Sequence, residues 1–499
     1  MSRVVGASRA GLGVAVLLVV CSAFALRALS LVDATGLWSD ELYTVGKSFQ
    51  PSYAALLAML RLDTHPPLYY SLVWLWGQLL PASAVTLRLL SWLAYLAGGV
   101  LITAQARALA SRTPLARPRL ALAAAALMAF CSPYLVRFAI EGKGYALLVM
   151  LVAMAWWCRR SHQWLGYGLS VVLAALTHYY GLFLFAATAL WDAWRGRRRA
   201  SLIAAAGLVP ALVWMVQASA YLMRTGTGAW IGRPDFALLE DTLARALGLW
   251  PLPKLVLLLL VGIAIARCGL QSDRPERKSS AGAPFALADD SGLGPSLLMV
   301  VGVVAISFWK PLAFSRYFVV LLPALIPWLA VRLAVLPLTQ RGRGLVVLTA
   351  AALVISWWWH SFRELDPAVN GHGAREADQF QLVSRALATE PYRFSRRERL
   401  FNLSDRMELA AGRIAEPERS WGGASDLDQV LSSGALPDTL WLADSGPEEG
   451  SMPRLKVLLR RAQAVGYRCQ KAEIPGFGAA PYAQVQQCQL EAPLHSEHR

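Results

Sequence analysis

Charged residues are scarce in this chain of 499 residues: Asp, Glu, Lys and Arg make up 16% of it, against about 25% in soluble domains. Apolar residues reach 56%, and the mean hydropathy is +0.43. This composition excludes a disordered chain and an ordinary soluble globular protein. Because the apolar residues form long runs and do not alternate with polar ones, a membrane β-barrel is excluded as well. The sequence therefore predicts a polytopic α-helical membrane protein.

Acidic residues are scarcest in the first 360 residues, which hold 13 acidic and 31 basic residues, whereas the last 139 hold 19 acidic and 17 basic residues. Arginine clusters between apolar runs follow from the positive-inside rule, so the excess of positive charge does not indicate a nucleic-acid-binding protein. The chain also lacks a Gly-x-Gly-x-x-Gly loop, a P-loop and Cys/His pairs at zinc-site spacing. These absences argue against a nucleotide cofactor and a zinc site.

Apolar runs long enough to cross the hydrocarbon core of a bilayer, roughly 30 Å thick, set the topology. They lie at 10–32, 87–106, 120–137, 144–158, 200–222, 251–266, 293–309, 312–331 and 344–360. We predict that the shorter run 66–81 lies along the outer interface and that 164–191 forms two short crossings meeting near His178, since every Arg-rich loop then falls inside. The result is about eleven crossings, with the N-terminus inside and the C-terminus outside.

Two domains follow from this topology. Residues 1–360 are predicted to form the transmembrane domain, with an outer loop at 33–86, and residues 361–499 a small extracytoplasmic soluble α/β domain. The first helix is predicted to be retained, because no small-residue cleavage site follows it. In an oxidising compartment Cys469 and Cys488 are expected to form a disulfide, the alternative being two unpaired buried thiols.

Two adjacent acids, Asp40 and Glu41, stand out in the outer loop that follows the first helix. A carboxylate close to the membrane surface can take a proton from an acceptor hydroxyl, and a second carboxylate beside it raises the pKa of one of the pair. The alternative is that both are solvated loop acids or cap the N-terminus of a helix.

Four cations are predicted on the outer side, against the charge rule, so something other than orientation should keep them there. They are Arg88, Arg137, Lys143 and Arg316. A phosphate-bearing ligand is one reason, because Arg and Lys form charge-assisted hydrogen bonds with phosphate oxygens. The alternatives are anchoring to lipid head groups and an i, i+4 pair between Arg137 and Glu141. His178 is a further candidate, although a lone histidine at a helix break is more often structural.

The motifs together resemble the polyprenyl-phosphate-sugar-dependent membrane glycosyltransferases of the GT-C superfamily. This superfamily includes protein O-mannosyltransferases, the lipid A aminoarabinose transferase and lipopolysaccharide-core galacturonosyltransferases. The resemblance covers residues 10–200 and, more loosely, the chain to about 335; the tail carries no motif of the family. The resemblance rests on five motifs: Trp38-Ser39-Asp40-Glu41, Asp63-Thr64-His65-Pro66-Pro67-Leu68-Tyr69-Tyr70, Arg88-Leu89, Ser132-Pro133 with Glu141 and Tyr145, and Arg316-Tyr317.

The resemblance implies an active site on the outer, periplasmic face of a bacterial inner membrane. It makes Asp40 the catalytic base, supported by Glu41, and places His65 beside the site with Arg88 as a phosphate-side or structural cation. A single sugar would pass from a polyprenyl phosphate to a hydroxyl of an envelope glycan such as lipopolysaccharide, a lipid or a protein, with inversion. Tyr145 and Tyr317 would belong to the same site, and Lys143 stands where the family often has Arg. No essential cofactor and no metal are expected.

Three other functions remain open on the sequence. A flippase for lipid-linked sugars would be expected to show internal repeats and charges at mid-membrane depth, which the sequence lacks. An oligosaccharide ligase or polymerase would be expected to collect its outer arginines in one long loop, and the loop 223–250 holds only three. A membrane-anchored scaffold would act through its tail.

Overall fold

The computed structural model describes residues 2–34, 36–224, 231–247, 283–337, 340–363, 377–445, 448–477 and 483–491. The predicted crossing at 251–266 and the predicted inside loop at 267–278 lie outside these residues. Up to Arg363 the described chain is helical. Its α-helices are α1 Ser2–Ser30, α2 Ser39–Ser48, α3 Tyr53–Leu60, α4 Leu68–Leu79, α5 Ala84–Arg112, α6 Pro118–Cys131, α7 Pro133–Ala139, α8 Tyr145–Arg160, α9 Trp164–Thr177, α10 Tyr179–Trp194, α11 Arg198–Gln217, α12 Ser219–Leu222, α13 Phe236–Leu247, α14 Ala283–Ser291, α15 Leu293–Ser307, α16 Leu322–Val335 and α17 Gln340–Arg363, with a 3₁₀ helix at Ser315–Leu321.

Every predicted apolar run within the described residues falls on a helix. Four spans there are long and apolar enough to cross a membrane, namely Gly11–Ser30, Ala84–Arg112, Arg198–Gln217 and Ser315–Val335, and the pair α6 and α7, bent by 51°, makes a fifth. Shorter apolar helices lie at Trp164–Thr177, Leu293–Ser307 and Val346–Phe362. These helices make the chain a multi-pass membrane protein, while the number of eleven crossings stays a prediction.

The bend between α6 and α7 has a local cause. Pro133 follows Ser132, and a residue before proline is disfavoured in the α region by the proline ring. Ser132 is accordingly extended, with φ −61° and ψ 131°, and interrupts the helix for one residue. The short helix α7 that follows carries Arg137 in its last turn.

One compact unit comprises Met1–Leu29, Pro51–Val73 and Arg88–Phe362. Within it, consecutive helices pack against each other: α9 contacts α8, α10 and α11, while α10 also contacts α15 and the 3₁₀ helix. The helices α9 and α10 meet at His178, where the sequence predicted a break. They approach so closely that a Cβ atom on Gly181 would lie 2.4 Å from the carbonyl oxygen of Ala174, so glycine is required at this position.

A second compact unit comprises Ser30–Gln50, Trp74–Leu87 and Arg363–Arg499. Its described residues contain a four-stranded sheet in the order β1-β2-β4-β3, in which β1 and β2 are parallel and the other neighbours antiparallel. The strands are β1 Arg393–Phe394, β2 Thr439–Ser445, β3 Tyr467–Lys471 and β4 Ala483–Leu490, with helices α18 Ala377–Ala386, α19 Glu398–Ala410, α20 Ala424–Ser432 and α21 Glu448–Gln463.

The core of the sheet is apolar on one face. Leu440 and Leu442 of β2 pack with Leu455 and Leu458 of α21, and all four are fully buried. Cys469 on β3 and Cys488 on β4 are directly opposite each other in the antiparallel pair and are joined by a disulfide. The bond therefore ties together the two strands at one side of the sheet.

Helix α2, which belongs to this unit, is in contact with its C-terminal residues. Helix α19 packs against α2, and a Cβ atom on Gly46 would lie 2.9 Å from Cδ1 of Leu403. Asp33, which precedes α2 in the segment Ser30–Gln50, pairs with Arg413 at 3.5 Å. The acidic motif of the first outer loop is thus supported from outside the membrane part of the sequence.

Candidate functional site

Asp40 and Glu41 lie in the first turn of α2, within the second unit. Glu41 is fully buried, and its Oε2 accepts a hydrogen bond from the backbone N–H of Trp38 at 3.4 Å. This is the capping role that the sequence left open as an alternative. Asp40 is partly exposed, and both carboxylates benefit from the positive end of the helix dipole. Of the two acids, Asp40 is the one accessible to a substrate.

His65 is oriented by Asp63, within the first unit. Its Nδ1 lies 2.8 Å from Oδ1 of Asp63, and the same carboxylate accepts the backbone N–H of His65 at 3.1 Å. The hydroxyl of Thr64 is 3.1 Å from the same ring nitrogen. Two contacts to one carboxylate fix the plane of the imidazole and leave Nε2 on the opposite side of the ring.

The break at His178 brings four of the residues singled out from the sequence together. The ring of His178 lies 5.0 Å from that of Tyr317, 5.7 Å from that of Tyr145 and 6.1 Å from that of His65. A fifth ring, of Tyr180, lies 5.1 Å from Tyr317. We call these five residues the aromatic cluster. Edge and tilted contacts of this kind stabilise such a group beyond the burial of its area.

His178 itself is buried and caps α10, because its Nδ1 accepts the backbone N–H of Tyr180 at 3.1 Å. Burial, reinforced by the positive charges of His65 and Lys143, lowers the pKa of His178 to about 3. The ring is therefore neutral at physiological pH, with Nδ1 as an acceptor. His178 thus has a structural role in addition to its place in the cluster.

This lowered pKa predicts a loss of stability in mild acid. The unfolded chain takes up a proton at His178 near pH 6.5, whereas the folded protein does so only near pH 3, so stability is present above about pH 6.5 and falls as the pH is lowered. Between pH 7.5 and 5 the loss is about 2 kcal/mol. We expect His178→Asn, which keeps a capping acceptor, to remove this component from thermal unfolding curves in detergent.

The exposed His162 provides the control for that experiment. His162→Asn should show the same fall in melting temperature between pH 7.5 and 5 as the unmodified protein. If His178→Asn loses as much stability in acid as the unmodified protein does, His178 is not buried in its neutral form.

A cavity of about 410 Å³ opens beside the aromatic cluster in the first unit. One part of its wall is polar and the other is apolar. The polar part is formed by Thr64, His65, His178, Tyr179 and Lys310, and the apolar part by Phe183, Met215, Val216, Leu222, Met223 and Ile231. The hydroxyl of Tyr179 is buried and has no hydrogen-bond partner among the described residues. The cavity therefore suits a ligand with a charged or polar head and an apolar chain.

Lys310, Tyr179 and Tyr180 were not selected from the sequence as binding residues. Lys310 follows α15, and its Nζ donates a hydrogen bond to the carbonyl of Leu222 at 2.8 Å. The sequence did contain an indication of Lys310: in the predicted topology it lies on the outer side between two apolar runs, against the positive-inside rule. Arg316 was selected for the same reason. The hydroxyl of Tyr180 donates to the carbonyl of Leu312 at 2.8 Å and so fixes the loop that holds Lys310.

Three of the cations predicted from the sequence, Arg88, Arg137 and Lys143, lie away from the cavity that Lys310 lines. Arg137 and Glu141 form the i, i+4 pair considered as an alternative, at 3.9 Å, and Oε1 of Glu141 has no hydrogen-bond partner among the described residues. Lys143 is buried, and its backbone carbonyl accepts the hydroxyl of Ser91 at 3.3 Å. Arg88 is fully buried. Arg88 and Lys143 are thus held within the helix packing while Arg137 is half-buried, and none of the three lines the cavity.

Arg316 and Tyr317 are positioned through Ser315, which begins the 3₁₀ helix. The carbonyl of Ser315 accepts the hydroxyl of Tyr134, and its hydroxyl hydrogen-bonds Asp241 and, at 2.8 Å, Arg245. Arg316 lies over the ring of Phe314 at 4.9 Å. Helix α13, in the loop 223–250, therefore has a supporting role for the cluster that the sequence did not reveal.

No group of three or more His, Cys, Asp or Glu residues in the described parts of the chain is arranged to hold a metal ion. The polar wall of the cavity beside the aromatic cluster consists of a threonine, histidines, tyrosines and a lysine. These groups can bind an anion and orient it.

No protein-family model matches the sequence, and no curated protein matches it significantly. The structure is similar to that of ArnT from Cupriavidus metallidurans, solved bound to undecaprenyl phosphate, with a TM-score of 0.56 and 14% identity over 96% of this chain and 98% of that one. The apo state of the same protein gives a TM-score of 0.55 and 14% identity over 97% and 98%.

ArnT is an aminoarabinose transferase of the GT-C superfamily. At 14% identity the likeness is one of fold, and it extends over nearly the whole of both chains. The resemblance inferred from the motifs of the sequence is thus confirmed at the level of the fold. The tail, in which no motif was found, is included in the part that matches.

Proposed function

We propose that this protein is a membrane glycosyltransferase that moves a single sugar from a polyprenyl phosphate to a hydroxyl group of an envelope glycan, a lipid or a protein. The observation that carries the proposal is the cavity, in which a wall of His65, Tyr179 and Lys310 continues into a wall of aliphatic and aromatic side chains. A polyprenyl phosphate has the same two parts, an anionic head and an apolar chain. The fold shared with ArnT, whose structure holds undecaprenyl phosphate, supports this choice of donor.

The proposed reaction is a direct displacement at the anomeric carbon. Asp40 takes the proton of the acceptor hydroxyl, whose oxygen forms the new bond to the anomeric carbon. The bond from that carbon to the phosphate oxygen breaks, and its electron pair stays on the phosphate. The leaving phosphate gains one negative charge, which Lys310 is suited to stabilise at a boundary of low dielectric constant. Attack from the opposite face inverts the anomeric centre.

The proposed topology follows the sequence prediction: eleven crossings, the N-terminus inside, and Asp40 and the C-terminal residues on the periplasmic side of a bacterial inner membrane. The disulfide between Cys469 and Cys488 supports this orientation, because disulfides persist in oxidising compartments. The proposal includes no essential cofactor, since phosphate is a leaving group that side-chain cations can stabilise.

The test is a transfer assay with the purified full-length protein in liposomes. The donors are undecaprenyl phosphates carrying a hexose or a pentose, the acceptors are extracted envelope glycolipids, and the readouts are released undecaprenyl phosphate and the mass of the acceptor. We expect the acceptor to gain the mass of one sugar, with undecaprenyl phosphate released in equal amount and no loss of rate in EDTA.

Two other results would point away from the proposal. Transfer of a preassembled oligosaccharide from a lipid pyrophosphate would identify a ligase or polymerase. Movement of the intact lipid-linked sugar across the bilayer, without release of undecaprenyl phosphate, would identify a flippase.

A further inference from the structure

The first unit contains a second polar cavity, far from the aromatic cluster. It has a volume of about 500 Å³ and lies where α5 and α8 end and where α9 and α11 begin. His178 is at the other end of α9, and the 14 residues of that helix rise about 21 Å along its axis. The two cavities are therefore separate sites. We call this one the arginine cavity; its lining includes Arg112, Arg159, Arg160, Arg197, Arg198 and Arg199.

Part of the positive charge is neutralised by buried acids. Arg159 forms a two-bond pair with Asp192, and Arg197 pairs with Asp289 at 3.1 Å. Asp192 and Asp289 are almost wholly buried and so are committed to these pairs. The first pair joins the end of α8 to α10, and the second joins the residue before α11 to α14.

The remaining arginines of the cavity have no carboxylate partner. No carboxylate in the described parts of the chain lies within 4.0 Å of Arg112, Arg160, Arg198 or Arg199, and Asp290, which is exposed, is the one acidic side chain in the lining. With Asp290 as the one carboxylate among these four guanidinium groups, the cavity keeps a net positive charge, and like charges repel each other. An anion bound among them would relieve that repulsion.

A helix N-terminus adds to the positive potential. Helix α11 has 20 residues, begins at Arg198, and receives no side-chain hydrogen bond from its N-cap residue Arg197. Its first N–H groups therefore have no cap, and Ala200 of the first turn lines the cavity. Free N–H groups and the positive end of a helix dipole favour a phosphate at this position.

Two contacts hold the wall of the cavity in place. The guanidinium of Arg199 lies 5.0 Å from the ring of Trp164, and the ring of His162 lies 5.2 Å from it. His162 has a φ of +56°, in the left-handed region that residues other than glycine seldom adopt. Strained backbone of this kind is concentrated at functional sites, where the surrounding structure maintains it.

We infer that the arginine cavity binds a phosphate group through the forks of Arg112, Arg160, Arg198 and Arg199 and the N-terminus of α11. Arginine suits phosphate because its planar fork can make two parallel hydrogen bonds to the oxygens. The phosphate can belong to the head group of an anionic phospholipid or to a soluble molecule. The inference does not rest on the proposed function.

The test measures thermal stabilisation of the full-length protein by two probes. The first is inorganic phosphate, compared with chloride at equal ionic strength to remove general screening. The second is phosphatidylglycerol in phosphatidylcholine nanodiscs, compared with phosphatidylcholine alone. We expect the unmodified protein to be stabilised by at least one probe, and Arg198→Gln/Arg199→Gln to weaken the apparent affinity by about 100-fold, about tenfold for each arginine.

The matched control is Arg119→Gln/Arg341→Gln, which removes the same charge from two arginines that do not line the cavity. It should keep the affinity of the unmodified protein. If Arg198→Gln/Arg199→Gln does not fold, Arg112→Gln/Arg160→Gln replaces it with the same expected loss. Stabilisation by phosphatidylglycerol alone assigns a lipid head group, and stabilisation by phosphate assigns a soluble ligand. No stabilisation of the unmodified protein by either probe, or an equal loss in the control, overturns the inference.

Discussion

Replacing Asp40 by Asn should lower the rate of sugar transfer between about 100- and 10,000-fold, the range that a general base contributes. Asn has nearly the same shape as Asp but cannot accept a proton. Asp40 is partly exposed at the start of α2, and the cap of that helix is made by Glu41. The loss should therefore appear in kcat while the melting temperature and the affinity for undecaprenyl phosphate stay unchanged.

Two neighbouring acids serve as controls. Asp33→Asn removes an exposed carboxylate paired with Arg413 and should keep nearly the full rate. Glu41→Gln keeps an oxygen that can cap α2, so we expect a smaller loss of rate than for Asp40→Asn, together with a lower melting temperature. Transfer at an unchanged rate by Asp40→Asn would remove Asp40 from the role of base.

Replacing Lys310 by Gln should lower kcat/KM for the lipid-linked donor by about 10- to 100-fold. A hydrogen bond to a charged group contributes about 1.5 to 3 kcal/mol, and the phosphate gains charge in the transition state. Gln removes the positive charge and keeps a side-chain N–H donor in place of Nζ, which donates to the carbonyl of Leu222 at 2.8 Å. The measurement is initial rates over a range of donor concentrations.

Charge, rather than shape, is the property under test at this position. Lys310→Arg should keep most of the activity because it keeps the positive charge. Arg224→Gln removes an exposed cation that lies over Tyr221 and does not line the cavity, so it should leave kcat/KM unchanged. Equal rates for Lys310→Gln and the unmodified protein would show that Lys310 does not contact the phosphate.

Hydropathy and charge were sufficient to predict the long apolar helices of the described membrane part and the break at His178, whereas α3, α13 and α14 lie outside the predicted runs. The break could be predicted because a run of 28 uncharged residues is too long for one crossing and has polar residues at its centre. The resemblance to the GT-C superfamily implied that His65, Tyr145 and Tyr317 belong to one site. The structure places all three in the aromatic cluster with His178.

Features that depend on packing could not be predicted from the pattern. The contact of α19 with α2 and the support of Ser315 by α13 join parts of the chain that are far apart in sequence. The burial of Arg88 and Lys143 was equally hidden, because composition does not show which face of a helix meets its neighbours. None of the four predicted cations lines the cavity, whereas Lys310, which was not selected from the sequence, does.

The length of the two helices that meet at His178 has a consequence for the lipid around them. Helices α9 and α10, with 14 and 16 residues, rise about 21 and 24 Å, less than the roughly 30 Å of a hydrocarbon core. Leu165, Leu169 and Leu190 on these helices are exposed and face the surrounding medium. A bilayer in contact with so short an apolar surface becomes thinner there at a modest energetic cost. If α9 and α10 each cross the bilayer, as the predicted topology has it, lipid head groups next to them lie deeper than elsewhere, and an anionic lipid head has a shorter distance to travel to the cavity beside His178.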